Sequence, residues 1–132
     1  MTSLAQPEPA IKAKRILVVE DELMIRMLLE DMLTELGYTI TVAATRLDEA
    51  LDAARNADFD IAILDVNING EPISPVADAL AARRMPFVFA TGYGEQGLPD
   101  IYRDRPTLKK PFQLNSLKLV LRSALDKDSV TK

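Results

Sequence analysis

The sequence predicts an α/β domain built on a central parallel β-sheet. Residues 16–19, 61–64 and 87–90 are short, continuous apolar runs, the mark of strands covered on both faces. Stretches of helical period separate them, so strand and helix patterns alternate about five times along the chain. Right-handed crossovers then put helices on both faces of the sheet. The 132 residues suit one domain with a real core, and a hydrophobic content of 48% excludes disorder throughout.

Residues 1–14, with Pro7 and Pro9, read as a flexible leader. They lack the apolar segment of a signal peptide, and no run in the chain approaches the ~20 apolar residues of a membrane span. A cytoplasmic protein without membrane contact is the resulting expectation. The unit of interest is residues 15–125, and residues 126–132 read as a polar tail. The first strand, residues 15–19, ends in Glu20-Asp21-Glu22. Residues 23–36 are helical by period, with Leu23, Met27, Leu29, Met32, Leu33 and Leu36 on one broad face. Gly37 suits the left-handed position that stops a helix. Residues 39–43 alternate and are rich in β-branched side chains, a second strand. Thr45 is placed to cap the next helix, with Asp48 as its capping-box partner; Leu47, Ala50, Leu51 and Ala54 form the inner face.

The third strand ends at Asp65, and Asn67, Asn69 and Gly70 then supply turn chemistry. Ser74-Pro75 is a helix start, a hydroxyl cap with proline at the first helical position. Pro86 breaks that helix, and the fourth strand ends at Thr91-Gly92. Residues 93–105 carry Gly94, Gly97 and Pro99, so a fourth helix there should be short, frayed or absent. Residues 107–109 form a fifth strand before Lys110-Pro111. Residues 114–125 form a last amphipathic helix, with Leu114, Leu117, Val120, Leu121 and Leu125 inward.

Composition removes whole classes of chemistry. The chain has no cysteine and no histidine, which excludes disulfides, thiolate chemistry, zinc-histidine sites and a Ser-His-Asp triad. A formal net charge of -4 argues against nonspecific nucleic-acid binding.

Four strand ends carry polar groups: Glu20-Asp21, Asp65, Thr91 and Lys110. In an open parallel sheet these ends share one rim, where ligands bind. Carboxylates gathered there repel one another, and a hard divalent cation such as Mg²⁺ relieves this. A carboxylate is also a nucleophile toward phosphorus, given a metal, an ammonium and a hydroxyl for the equatorial oxygens. Asp65, Lys110 and Thr91 fill those roles. Each residue alone has a plainer reading: acids complementing a helix dipole, a loop cap, a strand-end hydroxyl, a solvated lysine. Those readings do not require the four groups on the ends of strands one, three, four and five.

The stretch Ile16-Leu17-Val18-Val19-Glu20-Asp21-Glu22, with Asp65, Thr91 and Lys110-Pro111-Phe112, resembles the receiver domain of bacterial two-component response regulators. The likeness runs from about Arg15 to Leu125. It implies a flavodoxin-like (βα)5 fold with strand order 2-1-3-4-5. It implies a single-domain response regulator rather than an enzyme, with Asp65 as phosphoacceptor from a sensor histidine kinase and autodephosphorylation to follow. Glu20, Asp21, Asp65 and the backbone carbonyl of Asn67 would hold Mg²⁺ or Mn²⁺; Thr91 and Lys110 would contact the phosphoryl group. Output would pass through protein–protein contact, a phosphotransferase step or a phosphate-sink role. Pro86-Phe87-Val88-Phe89-Ala90-Thr91-Gly92-Tyr93-Gly94 is similar to the FAT GUY subgroup, whose kinases are of the HWE or a related type. The sequence departs from many receivers at Thr107, where an aromatic switch residue is common, at Asn69, where proline is common, and at Glu20, where aspartate is commoner. Tyr93 is the candidate for the missing aromatic, and residues 93–105 for the segment that reorders. A non-phosphorylated pseudo-receiver, a flavodoxin-like small-molecule binder and an aspartate-dependent phosphohydrolase are the other classes. The intact Asp65, Thr91 and Lys110 oppose the first. The lack of a glycine-rich loop after strand one opposes the second, and Leu23 two residues after Asp21 the third.

Overall fold

The computed structural model describes residues 14–92, 98 and 100–130. The proposed leader, apart from Lys14, and the candidate aromatic Tyr93 lie outside the described residues. Five strands form one parallel sheet: β1 (Arg15–Val19), β2 (Thr39–Ala44), β3 (Ile61–Asp65), β6 (Phe87–Thr91) and β7 (Thr107–Lys109). Their order is β2-β1-β3-β6-β7. The expected order 2-1-3-4-5 is the same order, because β4 (Asn67–Ile68) and β5 (Glu71–Pro72) form a separate two-stranded hairpin that the sequence shows only as turn chemistry. Among the described residues four α-helices surround the sheet: α1 (Leu23–Glu35), α2 (Leu47–Asn56), α3 (Ser74–Ala82) and α4 (Leu114–Val130). Among the described residues, none of these helices is long and apolar enough to cross a membrane.

Alternation along the strands sorts the core into two layers. Leu17, Val19, Ala62, Leu64, Phe87 and Phe89 face α2 and α3, whose Ala50, Ala54, Val76, Ala77 and Leu80 pack on them. Ile16, Val18, Ile61, Ile63, Val88, Ala90 and Leu108 face α1 and α4 through Leu29, Leu33, Leu117 and Leu121. The small residues of α2 and α3 let those helices pack closely together. Arg83, at the end of α3, fixes them further. It donates from Nη1 to the Ala54 carbonyl (2.6 Å) and from Nη2 to the Ala57 carbonyl (3.0 Å), and lies over the Phe59 ring. These carbonyls are among the acceptors left over at the end of α2.

Several local expectations shift. On α1, Leu29 and Leu33 are buried as expected, but Leu23 and Met27 are 57% and 54% exposed. At about 100° per residue Leu23 and Met27 stand well round the helix from Leu29, and Ile25 takes the inward place in the first turn, packed against the same core layer. The box at the start of α2 closes through a different acid. Glu49 Oε1 accepts from the Thr45 N–H (3.1 Å) and hydroxyl (3.4 Å), while Asp48 pairs with Arg46. Asp48 lies one residue too early to reach back. α4 continues to Val130, five residues beyond the last inward leucine and into the segment read as tail, because that segment contains no glycine or proline to stop it. In the weak stretch before β7, the described residues hold only a 3₁₀ turn, Asp100–Tyr102. Gly37 is left-handed (φ 93°) as its helix-stop role requires.

One polar lock ties the lower edge of the sheet. The Arg15 N–H donates to Asp60 Oδ2 at 2.7 Å, and the Asp60 N–H returns a bond to the Arg15 carbonyl at 2.8 Å. The Arg15 guanidinium also pairs with Asp60 and Asp58. Burial alone would raise the Asp60 carboxyl, but the hydrogen bonds from Arg15 outweigh it and hold the group below the ordinary aspartate range. The stability this confers is present above the unfolded value of about 3.9 and is lost as pH falls through the lower folded value. Urea unfolding at a series of pH values should therefore show stability declining below about pH 4. Asp60→Asn should lower stability at neutral pH and flatten the acid limb; an unchanged acid limb would contradict the lock.

Candidate functional site

Register brings the polar strand ends together. Val19 pairs with Leu64, so Glu20 and Asp65 emerge side by side from β1 and β3. Asp65 pairs with Ala90, and Thr91 with Lys109, so Thr91 leaves the sheet one step higher on β6 and Lys110 two steps higher after β7. The alternation that points Val18 and Ile63 toward α1 and α4 points Glu20 and Asp65 the same way, and Lys110 shares the parity of Leu108.

Side-chain contacts follow that placement. Lys110 Nζ lies 3.1 Å from Glu20 Oε1 and 3.2 Å from Asp65 Oδ2. Glu20 is 1% exposed and forms the floor of the site. Its second oxygen, Oε2, accepts from the Glu22 N–H at 3.2 Å. Asp65 and Thr91 are buried at the wall. Above them opens a cleft of about 470 Å³ lined by Asp21, Glu22, Asp65, Val66, Asn67, Thr91, Gly92 and Lys110. Of the sequence-chosen residues, Glu20, Asp21, Asp65, Asn67, Thr91 and Lys110 are therefore gathered at one rim.

Electrostatics at the floor are governed by burial. Loss of water, followed by the charge of Asp65, pushes the Glu20 carboxyl up to about 7, against the Glu22 N–H and Lys110, which pull it down. Burial alone would lower Lys110, but Asp65 and Glu20 together more than offset this and leave its ammonium above the usual lysine range. Lys110 is therefore a fixed cation between two carboxylates.

The donor set suits a hard divalent cation. One carboxylate oxygen from each of Glu20, Asp21 and Asp65 lies within 4.8 Å of the others. The cluster is all oxygen, and it opens on a cleft that admits water, the combination Mg²⁺ accepts.

Two contributors are not evident from the sequence. Asn69, a turn residue by its letters, donates its main-chain N–H to Asp21 Oδ2 at 2.9 Å. Its side-chain amide donates to the Thr45 carbonyl at 3.2 Å. The second is Tyr102. Its ring meets Phe87 and Phe89 at centroid distances of 5.5 and 6.0 Å, and its hydroxyl donates to the Asp78 carboxylate on α3. Thr107, where an aromatic is common in receivers, instead donates its hydroxyl to the Arg105 carbonyl. The only sequence signal for Asn69 is the Asn-Gly pair of a tight hairpin; for Tyr102 there is none, because the segment around it has no period.

A five-stranded parallel sheet with acids and a lysine converging at its carboxyl rim defines a flavodoxin-like class of α/β domain. The model of the response regulator receiver domain matches residues 16–122, and the chain belongs to that family. It is similar in structure to SdrG from Sphingomonas melonis Fr1 (TM-score 0.78, 44% identity, 86% of this chain and 97% of that one). It is also similar to the BeF3-activated conformation of SdrG from Pseudomonas melonis Fr1 (TM-score 0.73, 44% identity, 87% and 99%). Among curated proteins it is 33% identical over 121 residues to the transcriptional regulatory protein PdtaR of Mycobacterium tuberculosis. That match covers 89% of this chain and 59% of PdtaR, so the chain spans little more than half of that relative's length.

Two outcomes follow from this geometry. Lys110→Ala strands two buried carboxylates, and in chelator-treated protein it should lower unfolding free energy by about 3 kcal/mol. Urea denaturation measures this, and a variant as stable as wild type would show the bridge to be without weight. Burial, and next the bond to Asp78, push Tyr102 up to about 12. The unfolded phenol ionises near 10, so the stability this gives below about pH 10 should be lost between there and the folded value. Absorbance titration should show a late-ionising tyrosine that Tyr102→Phe removes.

Proposed function

We propose that this chain is a phosphoacceptor receiver in a two-component phosphorelay, with Asp65 as the acceptor. The observation that carries the reading is the ammonium of Lys110 held 3.2 Å from Asp65 Oδ2 at the head of an acidic cleft. An Asp65 oxygen attacks the phosphorus of a phosphohistidine on a sensor kinase. The P–N bond breaks, the imidazole nitrogen leaves with the electron pair and takes up a proton, and an acyl phosphate remains on Asp65. Lys110 is placed to pair with one phosphoryl oxygen as negative charge accumulates, and the Thr91 hydroxyl to donate to another. Glu20, Asp21, Asp65 and the Asn67 carbonyl would hold Mg²⁺ or Mn²⁺, which when bound supplies positive charge for the remaining oxygens. Hydrolysis of the acyl phosphate by water would restore the chain.

Residues 15–125 form the receiver unit in this reading, and its setting is the cytoplasm, where the kinase presents its phosphohistidine. Pro86 to Gly94 assign it to the FAT GUY subgroup, with a kinase of the HWE or a related type. Its output is contact with another protein, a phosphotransferase or a target, or drainage of phosphate from the kinase. Tyr93 and the segment up to Arg105 respond to phosphorylation because Thr91 sits at their root. What supports a response there is the contrast between the buried β6 and the short 3₁₀ turn that follows.

Incubation with Mg²⁺ and a small phosphodonor, followed by intact mass, tests the assignment. Wild type should gain one phosphoryl group, acid-stable and base-labile; Asp65→Asn and chelator-treated wild type should gain none. A wild-type chain that stays unmodified would sink the proposal.

A further inference from the structure

The hairpin of residues 67–72 touches the acidic cluster without supplying any of its carboxylates. Resting on the metal site proposed above, we infer that the turn of this hairpin is a positioning device for the metal ligands, acting chiefly through the main-chain N–H of Asn69 on Asp21. Asp21 lies on the first loop and Asn69 on the third, 48 residues apart, and their bond is 2.9 Å long. One carboxylate oxygen is thereby occupied, which orients the other. Carboxylate ligands are usually oriented in this way by a partner outside the ligand set.

Three further contacts make the turn a rigid support. Asn69 is left-handed (φ 53°) and so is Gly70 (φ 85°), the paired signs of a tight two-residue hairpin turn. The Gly70 N–H donates to Asn67 Oδ1 at 3.0 Å, and the Asn67 N–H to Asp65 Oδ1 at 3.4 Å. The turn is therefore bonded in series to the proposed acceptor. The Asn69 amide donates to the Thr45 carbonyl, beside Ala44, whose own carbonyl accepts from the Glu20 N–H at 3.1 Å. A closed ring of bonds thus runs from Glu20 through Ala44, Thr45 and Asn69 to Asp21. Ile68, fully buried among the side chains of the α2–α3 layer, anchors the hairpin below. The departure at Asn69 from the proline common in receivers gains a reason: proline has no N–H to give and cannot adopt a positive φ.

Gly70 isolates the turn from everything else, because a Cβ there would meet nothing within 4 Å and only the φ resists a side chain. Mn²⁺ binding to the unphosphorylated chain, followed by electron paramagnetic resonance, gives a readout independent of phosphotransfer. Gly70→Val should weaken Mn²⁺ affinity about tenfold, the size of effect seen when a ligand's outer partner is lost. Asn69→Pro should do the same. Asn69→Gly keeps both the positive φ and the N–H, gives up the amide bond to Thr45, and should retain most of the affinity. Gly70→Val and Asn69→Pro should lower the urea midpoint through backbone strain, so affinities are compared without denaturant on variants whose circular dichroism matches wild type, which separates positioning from unfolding. Wild-type binding with unchanged or tighter binding by Gly70→Val and Asn69→Pro would overturn the inference alone. A wild-type chain that binds no Mn²⁺ would overturn the metal site and this inference with it.

Discussion

The ammonium of Lys110 lies between two carboxylates that the sheet forces into proximity. Glu20 and Asp65 sit on adjacent strands at the same register, on the same face, and Glu20 has almost no water. Burial first, and the charge of Asp65 second, raise the Glu20 carboxyl, so a charged Glu20 at that spacing opposes folding. The compensating cation comes from β7, two strands away from β3. Neighbouring strands lie about 4.8 Å apart, so the stem of Lys110 must cross the end of β6. Position 90, paired with Asp65, lies beneath that path, and it is alanine. A larger residue of the same parity would stand where the lysine stem passes. The residue before Thr91 thus has a steric reason to be small, and the charge balance of the floor depends on it.

The same bridge explains why the site can accept charge at all. A lysine fixed to two acids is not free to leave when a phosphoryl group arrives, but it can exchange partners. In the proposed phosphotransfer its bond to Asp65 Oδ2 would become available to a phosphoryl oxygen while Glu20 continued to hold the ammonium from below. A divalent cation at the proposed metal site would add positive charge from the Asp21 side. The buried Glu20 is therefore the group that keeps Lys110 at the rim.

Much of this was legible in the letters, for a physical reason. Strands covered on both faces give continuous apolar runs, and a parallel sheet puts every strand's carboxyl end on one rim. Asp65, Thr91 and Lys110 can therefore be placed together without knowing any distance. The arc drawn for α1 was too broad: at about 100° per residue Leu23 and Met27 fall well round the helix from Leu29, and Ile25 holds the inward place. What was not legible depended on where an element begins or ends in space. Glu49 rather than Asp48 closes on Thr45 because the helix begins one residue later than its hydroxyl suggests. Asn69 reads as a turn former, and nothing local reveals that its N–H ends against Asp21.

Tyr102 shows the limit from the other side. Residues 93–105 have no period, so a sequence reading assigns them little structure and looks for an aromatic near Thr91 or at Thr107. The buried ring instead comes from a 3₁₀ turn. It packs edge-on against Phe87, lies against Phe89 and is bonded to α3 through Asp78, while Arg105 lies over Phe87 at 4.1 Å. With Leu98 also buried, the segment after Thr91 is fixed to the core at its far end. Thr107 can be small because the space an aromatic there would fill lies beside a ring delivered from five residues earlier. Tyr102 therefore joins β6 to α3 through its ring on one side and its hydroxyl on the other, the place a sequence search for an aromatic near Thr91 passes over.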